Sequence, residues 1–230
     1  MAFDPSKYKP KEPKALPVIL LLDVSGSMYG EKIQKLYDAT VEMIKAFSKE
    51  ASRETTIRIS IITFGSEIKL HTSYMLASDL DKQGLAPFVA NGGTPMGITL
   101  RMAKDMIEDK SIIPSNVYKP AVVLVSDGMP DSKNEAEICM DKFMNEGRSK
   151  KCQRFAIPIG PDADKELLLK FAGTKENLIK AEDADDIVNA FTKLTMSVST
   201  RARSENPNMV QPNVTLDDNT SNSSDEDSYI

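Results

Sequence analysis

Apolar and polar positions alternate along this chain in two periods, and the periods change places repeatedly. Val18 to Leu22 is an unbroken apolar run ending at Asp23, as in a strand buried on both faces. Ile33, Leu36, Tyr37, Thr40, Val41, Ile44 and Phe47 follow at helical spacing. Ile57, Ile59 and Ile61 alternate, and Ile62 and Phe64 supply the other face of a second strand. Gly65-Ser66 then reads as a two-residue hairpin. Beyond it Ile68 and Leu70 alternate with Glu67, Lys69 and His71, giving a half-exposed antiparallel edge strand with His71 solvated.

The second half repeats the scheme. Met96, Leu100, Ala103 and Ile107 line one helical face, and Ala121 to Val125 is the next apolar strand. Ser132 and Glu135 form a capping box that opens a helix bearing Ala136, Cys139 and Phe143. Phe155 to Ile159 predicts another strand, Leu167 to Phe171 a short helix, and Leu178-Ile179 a sixth, short strand. A last helix carries Ile187, Ala190, Phe191 and Leu194. Such alternation predicts a doubly wound α/β domain: a mainly parallel six-stranded sheet with one antiparallel edge strand and helices on both faces. Residues 1–15, with three prolines among lysines, predict an extended arm; 16–203 form the domain, without internal repeat. Residues 204–230, rich in Asn, Ser and Asp, predict a disordered tail.

Composition narrows the function. The 230 residues are 40% hydrophobic and 27% charged, an ordinary balance for a folded protein that needs no staples. The two cysteines, Cys139 and Cys152, fit no CxxC spacing and read as reduced thiols. The run from Leu16 to Leu22 is far short of the ~20 residues that cross a bilayer, and no cleavage site follows it, so a cytoplasmic location without membrane contact is expected. His71 is the only histidine, which excludes a two-histidine zinc site. All 29 basic residues lie before residue 204 and six of the 34 acidic ones after it, so a near-neutral body carries an acidic tail. That body argues against nucleic acid as a partner.

In doubly wound sheets the ligand site lies beyond the carboxyl ends of the strands. The loops there read Asp23-Val24-Ser25-Gly26-Ser27, Asn91-Gly92-Gly93-Thr94-Pro95 and Ser126-Asp127-Gly128. Thr94 is placed as a helix N-cap with Pro95 in the first helical position. Together these loops offer Asp23, Asp127 and the hydroxyls of Ser25, Ser27 and Thr94, all oxygen donors. A hard divalent cation suits that set: Mg2+ first, with Mn2+ and Ca2+ as alternatives. Two carboxylates roughly balance the charge of such an ion and leave it electrophilic, so a carboxylate from outside can complete its shell.

These residues resemble the von Willebrand factor type A (VWA) domain family and its metal-ion-dependent adhesion site. The family pattern is D-x-S-x-S, a threonine on a later loop and an aspartate after the fourth strand. The segments LLLDVSGSM, ISIITF, GGTPMG and LVSDGMP look most like the bacterial tellurite-resistance, TerY-like branch, over residues 16 to about 200. The resemblance implies direct ligation by Ser25 and Ser27, water-mediated roles for Asp23 and Asp127, and a Thr94 that moves between the two. It also suggests a protein kinase and a PP2C-type phosphatase as partner classes in a stress-response assembly.

The expectation is therefore a metal-dependent protein-binding module, not an enzyme, that captures an Asp or Glu of a partner. The rivals are a metal-dependent hydrolase or phosphotransferase and a metal-free scaffold. GGTPMGIT approaches a phosphate-binding P-loop, but Ile98 stands where its lysine belongs. Asp23-Val24-Ser25 lacks the second carboxylate of an aspartate-nucleophile phosphatase. Met28, Met96 and Met129 flank the metal loops as a candidate apolar rim. In the tail, Ser223 and Ser224 beside Asp225-Glu226-Asp227 offer a phosphoacceptor or a carboxylate donor to a neighbouring molecule.

Overall fold

Ten residues from Lys14 to Asp23 form β1, the strand on which the domain is built. The computed structural model describes residues 12–50 and 54–209. After β1 come α1 (Glu31–Ser48), β2 (Thr55–Phe64), β3 (Ile68–Leu76), α2 (Ala77–Gln83) and α3 (Met96–Glu108). Then follow β4 (Ala121–Ser126), α4 (Lys133–Asn145), β5 (Gln153–Pro158), α5 (Lys165–Ala172) and α6 (Ala184–Arg203).

The sheet has the order β3-β2-β1-β4-β5. β1 pairs in parallel with both β2 and β4, β5 is parallel to β4, and only the edge strand β3 is antiparallel. Strand order therefore reverses between β1 and β4. Because β1 alternates two buried faces, its side chains feed two cores. Leu16, Val18, Leu20 and Leu22 pack with α1, α2 and α6, while Ile19 and Leu21 pack with α3, α4 and α5. Both faces are covered, as an all-apolar strand requires.

Among the described residues five strands form the sheet, not six. Leu178 follows a 3-10 turn (Lys175–Asn177), and Asp183 caps α6 by accepting from Asp186 N, leaving five residues between. That stretch makes only two isolated bridges beside β5, Ala156 to Leu178 and Ile159 to Ala181. The hairpin between β2 and β3 also takes three residues, 65–67, and β3 runs on to Leu76 through irregular pairing with β2. β1 begins at Lys14, inside the expected arm; residues 1–11 of that arm lie outside the described residues. So do residues 210–230 of the expected tail, with Ser223 and Ser224.

Three local expectations also change. Thr94 is not a helix cap: α3 begins at Met96, and no side chain caps it. His71 is half-buried rather than solvated, its ring edge-on to Phe88 at 5.0 Å, and burial pushes its pKa down. Met28 and Met96 point into the cores, at 0% and 1% exposure. Ser132 does cap α4, accepting from Glu135 N. Cys139 and Cys152 are free thiols. No described helix is long and apolar enough to cross a membrane.

Candidate metal centre

The three loops singled out in the sequence meet at the carboxyl ends of β1 and β4, where strand order reverses. Asp23, the last residue of β1, is fully buried. One of its oxygens, Oδ1, accepts from the backbone N of Ser25 at 2.8 Å, closing a tight turn. The other accepts from Ser126 Oγ at the end of β4, at 2.6 Å. Burial pushes the Asp23 carboxyl up to about 6, against the pull of its hydrogen bonds to Ser126 and Ser25 and with a small added push from Asp127. Among the described residues no ion pair reaches Asp23; the nearest cation–carboxylate pair is Lys32 with Asp127.

The rest of the loop follows from this turn. Gly26 opens a single 3-10 turn, Gly26–Met28, that buries Met28 and lifts Ser27 to the surface. Ser27 Oγ then lies 3.0 Å from Ser25 Oγ and donates to Asp127 Oδ1 at 2.6 Å. Asp127 is buried at 1% exposure, and its second oxygen meets Lys32 Nζ at 2.5 Å. An ammonium thus stands against this carboxylate.

Thr94 reaches the cluster from the loop 91–95. Its hydroxyl and that of Ser27 lie equally close, at 3.9 Å, to the point where a side chain on Gly128 would begin. The glycine therefore leaves the space between the loops open. Two hydrogen bonds fix Thr94: its N donates to Asp131 Oδ1 at 2.8 Å, and its O accepts from Asp131 N at 3.0 Å. Backbone bonds fasten the loops 23–27 and 91–95 together, Gly26 N to Gly92 O at 2.9 Å and Asn91 N to Val24 O at 2.8 Å.

All five expected residues are thus brought to one edge of the sheet. Among the described residues no three His, Cys, Asp or Glu side chains gather as a metal set. The cluster is two carboxylates and three hydroxyls, an all-oxygen donor set whose softness and charge match a hard divalent cation. Lys32, Ser126 and Asp131 were not found from sequence. Lys32 lies on the second residue of α1 and Asp131 just before α4, so only the tertiary fold shows what they touch. Ser126 alone had a signal, as the residue before Asp127 at a strand end.

The von Willebrand factor type A domain model matches residues 18–193. Manganese-loaded Plasmodium vivax TRAP protein superposes with a TM-score of 0.58 at 21% identity, over 77% of this chain and 72% of that one. A VWA protein from Catenulispora acidiphila gives 0.62 at 18%, over 81% and 42%. The mussel byssus proximal thread matrix protein 1, in a form with a zinc-occupied MIDAS motif, gives 0.62 at 18%, over 81% and 48%. At these identities the likeness is one of fold, and this chain spans about half the length of the mussel and Catenulispora proteins.

Proposed function

Because the chain belongs to the von Willebrand factor type A domain family, we propose that it is a divalent-metal-dependent protein-binding module rather than an enzyme. In this reading Ser25, Ser27 and Thr94 hold Mg2+, or Mn2+ in its place, and Asp23 and Asp127 hold its waters and balance its charge. The observation that carries the reading is the convergence of Ser25, Ser27 and Asp127 oxygens, at 3.0 and 2.6 Å, from loops a hundred residues apart. The metal-loaded TRAP and zinc-occupied mussel relatives support a divalent ion on this fold.

A bound cation would add positive charge to two neighbouring buried carboxylates that Lys32 alone answers, and would supply an electrophilic centre for an incoming carboxylate. The chain's own part is positional. Ser126 and the Ser25 amide orient Asp23, Asp131 fixes Thr94, and the open space over Gly128 leaves room between the hydroxyls. The partner contributes an Asp or Glu.

The finer reading rests on the segments LLLDVSGSM, GGTPMG and LVSDGMP: a cytoplasmic, TerY-like module in a tellurite- or stress-response assembly with a kinase and a PP2C-type phosphatase. Affinity capture by the full chain, in Mg2+ and in EDTA, tests both levels. Proteins retained in Mg2+ and lost in EDTA and with Ser27→Ala are expected. Identical retention under all three conditions would overturn the function.

A further inference from the structure

Two large apolar side chains stand in solvent beside the proposed metal centre. Tyr29 is 82% exposed and Met129 54% exposed, although residues of these types usually bury most of their surface. Tyr29 lies two residues beyond Ser27, and Met129 two residues beyond Asp127. Ser27 and Asp127 are themselves joined by a 2.6 Å hydrogen bond. Two residues of chain span at most about 7 Å, so both side chains rise from backbone next to that bond.

The local backbone explains why these two are outside. The 3-10 turn Gly26–Met28 spends its one inward position on Met28, and Tyr29, extended at φ −57° and ψ 147°, carries the chain away from the core. Met129 follows the bare Gly128. Positive charge belongs to the same site: Lys32 Nζ pairs with Asp127, and the proposed function adds a cation. Tyrosine and methionine are enriched where proteins dock, since they offer large contact area with few polar atoms. Two side chains are far too little for a second copy of the chain, which would need about 800 Å² from each partner.

We infer that Tyr29 and Met129 form an apolar rim for an extended peptide whose Asp or Glu is flanked, within a residue or two, by an aliphatic or aromatic side chain. The inference rests on the metal-dependent reading above and adds the partner's local chemistry. Discrimination then comes from the flanking side chain, because any carboxylate satisfies the charge.

Simple carboxylates separate the two ideas. Acetate, butanoate and hexanoate are titrated against the Mn2+-loaded full chain, and paramagnetic broadening of their proton resonances gives the dissociation constants. Tightening of about twofold for each added methylene is expected, half of what full burial of a methylene gives. The Y29S/M129S double variant, with Mn2+ binding checked by electron paramagnetic resonance, should lose the dependence on chain length. If acetate is broadened but the wild-type series is flat, or if the double variant keeps the slope, the rim is overturned and the metal site stands. If no carboxylate is broadened beyond a Mn2+-only control, the metal-dependent reading falls, and the rim with it.

Discussion

Ser27 Oγ donates to Asp127 Oδ1 across 2.6 Å, although the two residues are a hundred positions apart in the chain. The contact joins the loop after β1 to the loop after β4, the two central strands where sheet order reverses. Each residue also has a second partner, Ser25 for Ser27 and Lys32 for Asp127. The bond therefore sits at the centre of the proposed metal site.

Lys32 is the first test of that arrangement. Its ammonium occupies Asp127 Oδ2, so a cation entering the site has to weaken or displace an ion pair that is open to solvent on the lysine side. A fully exposed pair is worth about 1 kcal/mol, a lower bound here because the Asp127 side chain is buried. Lys32→Met should accordingly tighten Mn2+ binding by at least about fivefold in isothermal titration. Weaker binding would mean that the lysine helps to hold the ion's shell.

Asp23 makes the site pH-dependent. Its pKa is raised from 3.8 to about 6 by burial, so the folded protein holds this proton at higher pH than the unfolded chain does. The stability it contributes is full below about pH 4 and lost as pH rises through about 6. In EDTA at pH 7.5, Asp23→Asn should therefore be more stable than wild type by about 1–3 kcal/mol, since the amide keeps the shape without the desolvated charge. The gap should close at acid pH. Urea denaturation at both pH values checks the sign, and an Asn variant less stable than wild type at pH 7.5 would refute it. In the same variant the stabilisation by added Mg2+ should vanish.

Much of this could be read from the chain, for physical reasons. Strands β1, β2, β4 and β5 are apolar on both faces or alternate cleanly, so their carboxyl ends, and with them Asp23 and Asp127, are fixed by pattern alone. Elements that depend on few residues were not legible. The seven-residue α2 buries only Ala77 and Leu80, and of Leu178-Ile179 only Leu178 makes an isolated bridge instead of a strand. Periodicity also failed at Met28, where a single 3-10 turn rotates the side chain inward and puts Tyr29 outside. Lys32 and Asp131 act through contacts made only once distant elements pack.

The paired glycines before Thr94 differ in kind, and substitution should show it. Gly92 has φ +79°, and a Cβ there would collide with the backbone of Ser66. Gly92→Ala should cost at least about 2 kcal/mol, because backbone has to move as well as adopt a left-handed conformation. A Cβ on Gly93 would lie 2.6 Å from the Asp131 carboxylate, a side-chain end that can rotate away. Gly93→Ala should cost about 1 kcal/mol and weaken metal binding by releasing Thr94. Chemical denaturation paired with Mn2+ titration distinguishes them; equal losses of stability would show that Asp131 is held as rigidly as the Ser66 backbone.

The most direct measurement is Mn2+ titration of the full chain by calorimetry, wild type against the Ser25→Ala/Ser27→Ala double variant. Ser27 is exposed, and Ser25, though buried, bonds Asp23 through its backbone N, which alanine keeps, so the variant should keep its fold by circular dichroism. One ion per wild-type chain, with affinity lowered at least tenfold in the variant, is the expected result. No saturable binding by wild type, or the same affinity in both proteins, would contradict a metal centre built from these hydroxyls.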